Sequence, residues 1–433
     1  MLFNLSKNDC KCGKKHIFDS QIFIGEGVVD KLIQPLAKWC AKKVFIYADV
    51  NTFSVAGEKI VELLNKANIH YKKFVFDKQH LEPDEYSVGL AMMNFDTDAD
   101  AIIGIGSGVI NDICKIVSNL TNKKYIIVAT APSMDGFASA TSSMTKEGLK
   151  VSLESRCADI IVGDTDFLCT APTKMLLSGL GDMLAKYISI CEWRISNIIN
   201  GEYYCEEIAQ LVRSAVNECI DNVEGLVRRE KNAVQSVFEG LIICGAAMKF
   251  AGLSRPASGI EHYMSHIWDM RGIEFGTKVD SHGIQCAVAT LISVELYEKI
   301  VVTVPDKKKA LDFVAAFDFE AWSEELKSFL GKGSKSMILL EETDKKYDKE
   351  KHSERLETIV NNWDSIRNII QEEIPPLSEL LKLYDRAGLP KTLGEIGIDD
   401  EILPMTFKSS KDIRDKYVLS RLCWDLGIID EII

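Results

Sequence analysis

The sequence predicts an α/β domain built on a parallel sheet, followed by an all-α region. Short β-branched runs alternate with amphipathic helical stretches up to about residue 165, and beyond that point the strand signal largely stops. Strands that alternate with helices of this length are typical of βαβ units, in which the strands run parallel. The change of pattern predicts two domains, residues 1–168 and residues 169–433, and a chain of 433 residues is long enough for two hydrophobic cores.

The individual elements follow from the periodicity of the apolar residues. Strands are predicted at 43–49 ("KVFIYAD"), 71–77 ("YKKFVFD"), 101–106 ("AIIGIG"), 125–130 ("YIIVAT") and 158–164 ("ADIIVGD"). Helices are predicted between these strands, at 53–67, 84–95 and 109–120. After "CTAPTK" (169–174) the apolar spacing is helical, and the charged stretch 320–375 is also helical, with a break at "GKGSKS".

The composition limits the classes of function. The net charge of −13 argues against a nucleic-acid-binding protein, which needs a basic face for phosphate contacts. The N-terminal residues contain no apolar core of signal-peptide length, and no run approaches the roughly 18 apolar residues of a membrane helix. The 12 cysteines lack the spacing of a disulfide framework. We therefore expect reduced thiols, a cytoplasmic location, and neither a membrane nor a nucleic acid as partner.

A glycine-rich turn joins the predicted strand 101–106 to the next helix. In "AIIGIGSGVINDICK", Gly104, Gly106 and Gly108 allow the backbone to approach a ligand closely, and the N–H groups at the helix start favour a phosphate. The spacing differs from the G-x-G-x-x-G dinucleotide fingerprint. Phosphate binding and a plain tight connection are therefore both consistent with this turn.

Two acidic residues follow the ends of predicted strands. Asp49 ends the strand 43–49 and either binds ribose hydroxyls or caps the next helix. Asp135 is the only charge in the polar run "VATAPSMDGFASATSSM" (128–144), and it either orients a hydroxylated substrate or caps a turn. Because ligands of α/β sheets bind beyond the carboxyl ends of the strands, we expect these loops to share one cleft.

Three of the seven histidines lie within 21 consecutive residues. Ser258-Gly-Ile-Glu261 has the S-x-x-E form of a capping box, which predicts a helix start and places His262 and His266 one turn apart on the same face. His282 is expected in a loop that enters the following helix. This pattern is not the H-E-x-x-H motif.

A catalytic metal needs about three protein ligands and an open position. Asp182, an acid in the mostly apolar run "LSGLGDMLAKY", is a candidate carboxylate ligand, because a buried Asp requires a cation or strong hydrogen bonds. Any single histidine is more simply a core or surface residue. Three clustered histidines together with this Asp favour a metal site.

A second group of ligand-type residues lies near the N-terminus. "CKCGKKH" (10–16) offers Cys10, Cys12 and His16, which are part of a zinc-binding pattern. The segment has no second cysteine pair and no fourth ligand, so the pattern alone is weak. Chance and a structural metal both remain open for it.

Taken together, these motifs resemble the glycerol-1-phosphate dehydrogenase family, within the iron-containing alcohol dehydrogenase and glycerol dehydrogenase superfamily. The matching segments are "GIGSGVINDICK", "TAPSMDGFAS", "GLGDMLAK", "RPASGIEHYMSH" and "SHG", in the family's order, over roughly residues 40–290. The resemblance implies an N-terminal dinucleotide-binding α/β domain and a C-terminal helical domain, the dehydroquinate synthase-like fold. It also implies the reversible reduction of dihydroxyacetone phosphate to sn-glycerol 1-phosphate with NADH or NADPH, a step of phospholipid synthesis, in a homodimer or higher oligomer.

The resemblance also implies roles for individual residues. The ligands of one divalent metal (zinc, nickel, iron or manganese) fall on Asp182, His262 and His282, and His266 completes the catalytic set. Asp135, Asp182 and His266 fall on substrate contacts. The cofactor site falls on Asp49 at the ribose and on Gly106, Ser107, Gly108, Val109, Ile110, Asn111, Asp112, Thr130, Ala131, Pro132, Ser133 and Ser139.

One departure affects the choice of substrate. The family often has Gly-x-Lys-Val after the third ligand, whereas here Gln285 stands in place of the basic residue, although Arg255 remains nearby in sequence. A glycerol or other polyol dehydrogenase therefore remains an alternative. A dehydroquinate synthase-like lyase and a metal-dependent hydrolase without dinucleotide are more remote. The negative charge of Asp49 favours NAD over NADP, because it would repel a 2′-phosphate.

Overall fold

The computed structural model describes residues 5–6, 9–78, 80–147 and 149–433. The chain forms two compact units, the first made of Met1–Met183 and Gln210–Gly252, and the second of Leu184–Ala209 and Leu253–Ile433. The division at residue 168 stays a prediction about domains, because compactness alone does not show which segments fold independently.

A parallel sheet forms the centre of the first unit. Within the described residues it has six strands in the order β1-β8-β5-β4-β2-β3, and every neighbouring pair is parallel. The strands β4 and β5 consist almost entirely of buried residues, as expected for a parallel sheet that is covered on both faces. An antiparallel hairpin, β6–β7, lies outside this sheet. The strands are β1 (Gln21–Gly25), β2 (Lys43–Asp49), β3 (His70–Phe76), β4 (Ala101–Gly106), β5 (Lys124–Ala129), β6 (Thr141–Lys146), β7 (Leu149–Glu154) and β8 (Ile160–Asp164).

Helices connect these strands and continue to the end of the chain. They are α1 (Ile33–Lys38), α2 (Val50–Thr52), α3 (Glu58–Lys66), α4 (Glu85–Asn94), α5 (Gly108–Thr121), α6 (Thr165–Leu168), α7 (Thr173–Leu184), α8 (Lys186–Asn200), α9 (Glu206–Asp221), α10 (Val223–Val227), α11 (Lys231–Ala251), α12 (Ile260–Phe275), α13 (His282–Val301), α14 (Lys307–Ala315), α15 (Phe319–Leu330), α16 (Ser334–Asp344), α17 (Lys349–Asn361), α18 (Trp363–Glu373), α19 (Leu377–Ala387), α20 (Leu403–Ser410) and α21 (Leu419–Asp425). A π-helical turn, Phe53–Gly57, joins α2 to α3.

The order of the strands fixes where the loops meet. β2, β4 and β5 are neighbours, with Ala48 paired to Ile105 and Gly106 to Ala129. Since the strands are parallel, the segments that follow Asp49, Gly106 and Ala129 leave the sheet at the same edge. This confirms the expectation that the three predicted loops lie together.

The predicted fold class is confirmed, and three strands were missed. All five predicted strands are present within one or two residues of their predicted bounds, and helices follow as far as the C-terminus. Strand β1, which is an edge strand of five residues, and the hairpin β6–β7 were not predicted from the sequence. β6 reads "TSSMTK", and its first four positions alternate between exposed and buried, but its composition is that of a polar loop.

One helix of the first unit is long and apolar. Lys231–Ala251 meets the length and composition of a membrane span, and it is the one helix among the described residues that does. Of its most apolar window, 72% is buried inside the protein. Such burial is typical of the core helix of a folded domain.

Candidate functional site

The glycine turn after β4 is tightly packed. A Cβ atom on Gly106 would lie 2.6 Å from Cβ of Ile110, which is closer than real Cβ contacts, so the close packing of this turn against α5 requires glycine. The carbonyl of Gly106 accepts a hydrogen bond from the N–H of Thr130 at 3.1 Å. Helix α5 begins at Gly108, and its 14 residues make its N-terminus a suitable position for an anionic group.

Hydrogen bonds join this turn to the loop after β5. Oγ of Ser107 lies 2.6 Å from Oγ of Ser133 and donates to the carbonyl of Ala131 at 3.2 Å. Thr130, Ala131 and Ser107 are buried. The structure therefore brings the two predicted cofactor segments together at the edge of the sheet.

Helix α7 supports the loop after β5 from the other side. Oγ of Ser178 donates to the carbonyl of Ser133 at 3.0 Å, and the backbone N–H of Asp135 donates to Oδ2 of Asp182 at 2.9 Å. Between these two contacts, a Cβ on Gly179 would lie 1.9 Å from the carbonyl oxygen of Pro132. Only glycine therefore allows the helix and the loop to approach this closely. Asp182 is fully buried, as the sequence predicted, and a backbone N–H is one of its partners.

A lysine for which the sequence predicted no role fixes the far end of the same loop. Nζ of Lys115, on α5, is buried and donates to the carbonyls of Gly136 and Thr141 and, at 3.1 Å, to Oγ of Ser139. Asn111 also donates to the carbonyl of Gly136, at 3.3 Å. Asn111 and Ser139 were expected at the cofactor, and the structure shows that both have buried structural partners.

The carboxyl of Asp112 lies beside this lysine, with 3.6 Å between its Oδ1 and Nζ of Lys115. Burial raises the pKa of Asp112 to about 6, although the charge of Lys115 opposes the shift. Its neighbours in the predicted cofactor segment differ in exposure, since Val109 is half-buried and Ile110 is buried.

Asp49 is the N-cap of α2. Its carboxylate accepts from the backbone N–H of Thr52 at 2.9 Å, and Oγ1 of Thr52 accepts from the N–H of Asp49 at 3.0 Å. This reciprocal pair confirms the capping role that the sequence allowed. The carboxylate remains half-exposed at the strand end, where a ribose role stays a prediction.

The three clustered histidines meet in the second unit, on α12 and α13. The ring of His282 lies between the other two, with its centroid 4.9 Å from that of His262 and 5.8 Å from that of His266. His282 is the first residue of α13, close to the predicted loop position. The cluster forms because His262 and His266 are four residues apart on α12 and His282 begins α13.

Each of the two predicted histidine ligands has a partner for its Nδ1 atom. Nδ1 of His262 lies 2.7 Å from Oε1 of Glu261, and Nδ1 of His282 lies 3.2 Å from Oγ of Ser265. An ionised carboxylate accepts from Nδ1–H, so the Nε2 atom of His262 is left to act as a Lewis base. A histidine that binds metal through one nitrogen usually donates its other N–H in this way.

The start of α12 differs from the predicted capping box. Gly259 occupies the N-cap position instead of Ser258, and as a glycine it has no side chain to cap the helix. Oε1 of Glu261 instead accepts from the N–H of Gly259 at 2.8 Å, and Oε2 of Glu192 accepts from the N–H of Ile260 at 3.0 Å. The predicted helix is present, but the cap was wrong, because the buried carboxylate of Glu192, on α8, satisfies a helix N–H that a local hydroxyl usually takes. Burial, and then the charge of Glu261, raise the pKa of Glu192.

A cysteine completes the cluster in the second unit. Sγ of Cys286 lies 3.6 Å from Nε2 of His282, and one ligand atom from each of His262, His282 and Cys286 lies within 4.8 Å of the others. Burial raises the pKa of the Cys286 thiol, positive charge on His262 and His282 lowers it, and the net result is a pKa below the usual value. The sequence contains a signal for this third member of the cluster, because Cys286 follows His282 by one helical turn.

Comparisons with known proteins agree with this chemistry. Residues 23–172 match the family model described as iron-containing alcohol dehydrogenase. A glycerol-1-phosphate dehydrogenase [NAD(P)+] of Halalkalibacterium halodurans is 26% identical over 95% of this chain and 94% of that protein. A protein of the same name from Geobacillus thermodenitrificans is 31% identical over 67% of this chain and 73% of that protein.

Solved structures support the fold. The crystal structure of glycerol dehydrogenase from Schizosaccharomyces pombe matches with a TM-score of 0.60 and 18% identity, over 98% of this chain and 92% of that chain. At this level of identity the match shows the architecture alone.

Proposed function

This chain belongs to the glycerol-1-phosphate dehydrogenase family, and we propose that it reduces dihydroxyacetone phosphate to sn-glycerol 1-phosphate with NADH or NADPH, reversibly. The observation that carries the proposal is the similarity along 95% of the chain to a relative of that name. The glycine turn and the histidine cluster supply the two groups of residues that such a reaction needs, one for a dinucleotide and one for a metal.

We propose that one divalent metal binds to Asp182, His262 and His282. The donor set fits such an ion, because imidazole and carboxylate suit zinc, nickel, iron and manganese alike. Glu261 orients His262, and Ser265 orients His282. When bound, the metal supplies Lewis acidity toward the carbonyl of the ketone.

The chain's own residues bind and orient the reactants. The N-terminus of α5 and the loop Thr130–Ser133 are proposed to hold the pyrophosphate and nicotinamide parts of the cofactor, which when bound would supply the hydride for the carbonyl carbon. Asp135, Asp182 and His266 are proposed to contact the substrate, and Asp135 and His266 to orient its hydroxyl groups. The negative charge of Asp49 at the ribose favours NADH over NADPH.

A polyol dehydrogenase acting on the free triol is the second candidate. Gln285, which replaces a basic residue of the family, is buried and donates to Oδ1 of Asp269 and to the carbonyl of Asp280, both at 2.8 Å. Arg255 is also engaged, by Glu202 at 2.9 Å and by the carbonyl of Tyr417 at 2.7 Å. These two side chains are therefore committed to structural contacts, and neither favours the phosphorylated substrate.

An assay of NADH oxidation distinguishes the two candidates. We expect kcat/KM for dihydroxyacetone phosphate to exceed that for dihydroxyacetone, and a chelator to abolish both activities. Preference for the unphosphorylated ketone would favour the polyol dehydrogenase and leave the fold and the metal chemistry unchanged. A dehydroquinate synthase-like lyase would show no net oxidation of NADH.

We further propose a cytoplasmic homodimer that takes part in the synthesis of phospholipids. Cysteines in the reduced form agree with that compartment, and none of the 12, all of which lie among the described residues, forms a disulfide bond. Sedimentation equilibrium of the purified protein tests the oligomeric state.

A further inference from the structure

The N-terminal segment holds metal-ligand side chains that the proposed reaction does not use. In the first unit, one ligand atom from each of Cys10, Cys12 and His16 lies within 4.8 Å of the others. Sγ of Cys12 is 3.4 Å from Nε2 of His16. A tetrahedral zinc ion, with bonds of about 2.3 Å to sulfur and about 2.0 Å to nitrogen, holds these atoms about 3.5 Å apart. The observed spacing is therefore that of two ligands of one ion.

The local backbone brings the two thiols to the same side. The N–H of Gly13 donates to the carbonyl of Cys10 at 2.9 Å and closes a turn over Cys10–Gly13. Gly13 has a φ of 80°, in the left-handed region that favours glycine. A tight turn between two closely spaced cysteines is a way to place two thiolates on one metal.

Two of the three ligand side chains, those of Cys10 and His16, are buried and Cys12 is half-buried, although the residues around them are exposed. His16 is 2% exposed and Cys10 is 8% exposed. Lys11, Lys14 and Lys15, which flank them, are exposed. A buried imidazole beside two thiols, within a short irregular segment, is unusual for packing alone, because the segment contains few apolar residues to drive the burial.

The segment is anchored to the end of α11. The ring of His16 lies 5.3 Å from that of Phe250, and Phe18 packs against the same ring at 6.5 Å. Nζ of Lys249 lies 3.3 Å from Oδ2 of Asp19. An ion held by His16 would therefore fix the first residues of the chain to a helix of the first unit.

We propose that Cys10, Cys12 and His16 bind a second metal ion, a structural zinc, which is separate from the catalytic metal. Thiolate and imidazole ligands select zinc among the abundant divalent cations. Structural zinc has four ligands, so a further ligand comes from outside this segment. Two of the 12 cysteines lie in this segment. If the remaining ligand is a thiolate, serine substitution of each of the other ten cysteines in turn identifies it by the loss of bound zinc.

Metal analysis of the purified protein, saturated with zinc and then desalted, tests the site. We expect two equivalents per chain in the wild type and the loss of one in the Cys10→Ser/Cys12→Ser variant. We also expect His282→Ala to lose one equivalent of zinc, and this loss is assigned to the catalytic site. Cys40→Ser, a substitution of an exposed cysteine, is the matched control and should keep both. Unchanged metal content in the Cys10→Ser/Cys12→Ser variant would overturn the proposal, whatever the enzyme activity.

A second measurement requires no substitution and remains valid if the double variant does not fold. Alkylation mapped by mass spectrometry should modify Cys10 and Cys12 slowly in the zinc-loaded wild type and rapidly after chelation, while Cys40 reacts at one rate throughout. Trypsin should cut after Lys14 and Lys15 faster in the chelated protein. Equal alkylation rates of Cys10 and Cys12 with and without zinc would show that the thiols bind no ion.

Discussion

At the residue scale, His262 and His266 lie one turn apart on α12 and are expected to have different roles. His262→Ala should abolish retention of the catalytic metal, because it removes the imidazole that Glu261 holds in position. His266→Ala should keep the metal and lower kcat/KM for the ketone, since its proposed role is to orient substrate. Metal content and steady-state kinetics of the two variants, both in the Cys10→Ser/Cys12→Ser background, separate these effects. Complete loss of the catalytic metal from His266→Ala would contradict this division.

Glu261 should tune the metal without contacting it. Its Oε1 atom lies 2.7 Å from Nδ1 of His262. Glu261→Gln keeps the size of the side chain and removes the charge that makes the imidazole a stronger base, so metal affinity should fall by about 10–100-fold. Competition with a coloured chelator measures the affinity. Glu295→Gln, an exposed change on α13, is the control and should have the wild-type affinity.

Asp112 should make the stability of the protein depend on pH. Its pKa is about 6 in the folded state against 3.8 as the ordinary value, so the folded state holds the proton more tightly between these two pH values. The free energy of unfolding therefore falls as pH rises from about 4 to about 6. Asp112→Asn removes this loss and should stabilise the protein at pH 7 by about 1–3 kcal/mol, but not at pH 4.

Thermal unfolding of the cofactor-free protein at both pH values tests this expectation. Asp98→Asn alters an exposed acid near the start of β4 and serves as the control. An Asp112→Asn variant that tracks the wild type at every pH would show that burial does not perturb this carboxyl.

At the scale of elements, the contact of α7 with the loop after β5 depends on one glycine. Gly179→Ala would place a Cβ 1.9 Å from the carbonyl oxygen of Pro132, and backbone on both sides of the contact must move. Overpacking of this kind costs about 1–3 kcal/mol. Since Ser133 and Asp135 are held by the same helix, we also expect a higher KM for NADH.

The control for this variant is another helical glycine. A Cβ on Gly89, in α4, would meet nothing within 4 Å. Gly89→Ala should therefore keep the wild-type KM and stabilise the protein by roughly 0.5–1 kcal/mol, because alanine loses less backbone entropy in a helix. If Gly179→Ala left both stability and KM unchanged, the loop would not depend on this contact.

The sequence predicts those elements whose signal is local. Strands β2, β4 and β5 are continuous apolar runs next to glycine or acidic residues, and each lies within one residue of its predicted bounds. The hairpin β6–β7 was missed because β6 has the polar composition of a loop, although its pairing is local, with Lys146 opposite Leu149. Strand β1 was missed because its identity depends on pairing with a distant segment, in which Gln21 pairs with Ile160. Pairing over such distances leaves little mark on composition.

The residues of the candidate site also divide into those with a local sequence signal and those whose role depends on the fold. The histidines were identified from their spacing, and Asp182 from an acid in an apolar run. Lys115 and Glu192 were not, because each looks like an ordinary charged residue of a helix, and only the fold shows that it is buried against backbone groups. Their contribution is to hold a loop and a helix start, which is a property of tertiary structure.

At the scale of the whole molecule, the two proposed ions should stabilise the fold by mass action. A ligand that binds only the native state contributes about 4 kcal/mol when its concentration is about 1,000 times its Kd. Zinc added to the chelated wild type should therefore raise Tm by several degrees, and the rise should grow with the concentration of free metal.

The contributions of the two sites can be separated. In the Cys10→Ser/Cys12→Ser variant, the remaining rise in Tm reports the catalytic ion alone. It should disappear when His282→Ala is added, because His282 joins α12 to α13 through the histidine cluster. In the single variant His282→Ala, the remaining rise reports the N-terminal site, and limited trypsin digestion at Lys14 and Lys15 should follow the same zinc concentrations. If the triple variant still showed the full zinc-dependent rise in Tm, neither cluster would be the source of the stabilisation, and both metal assignments would be wrong.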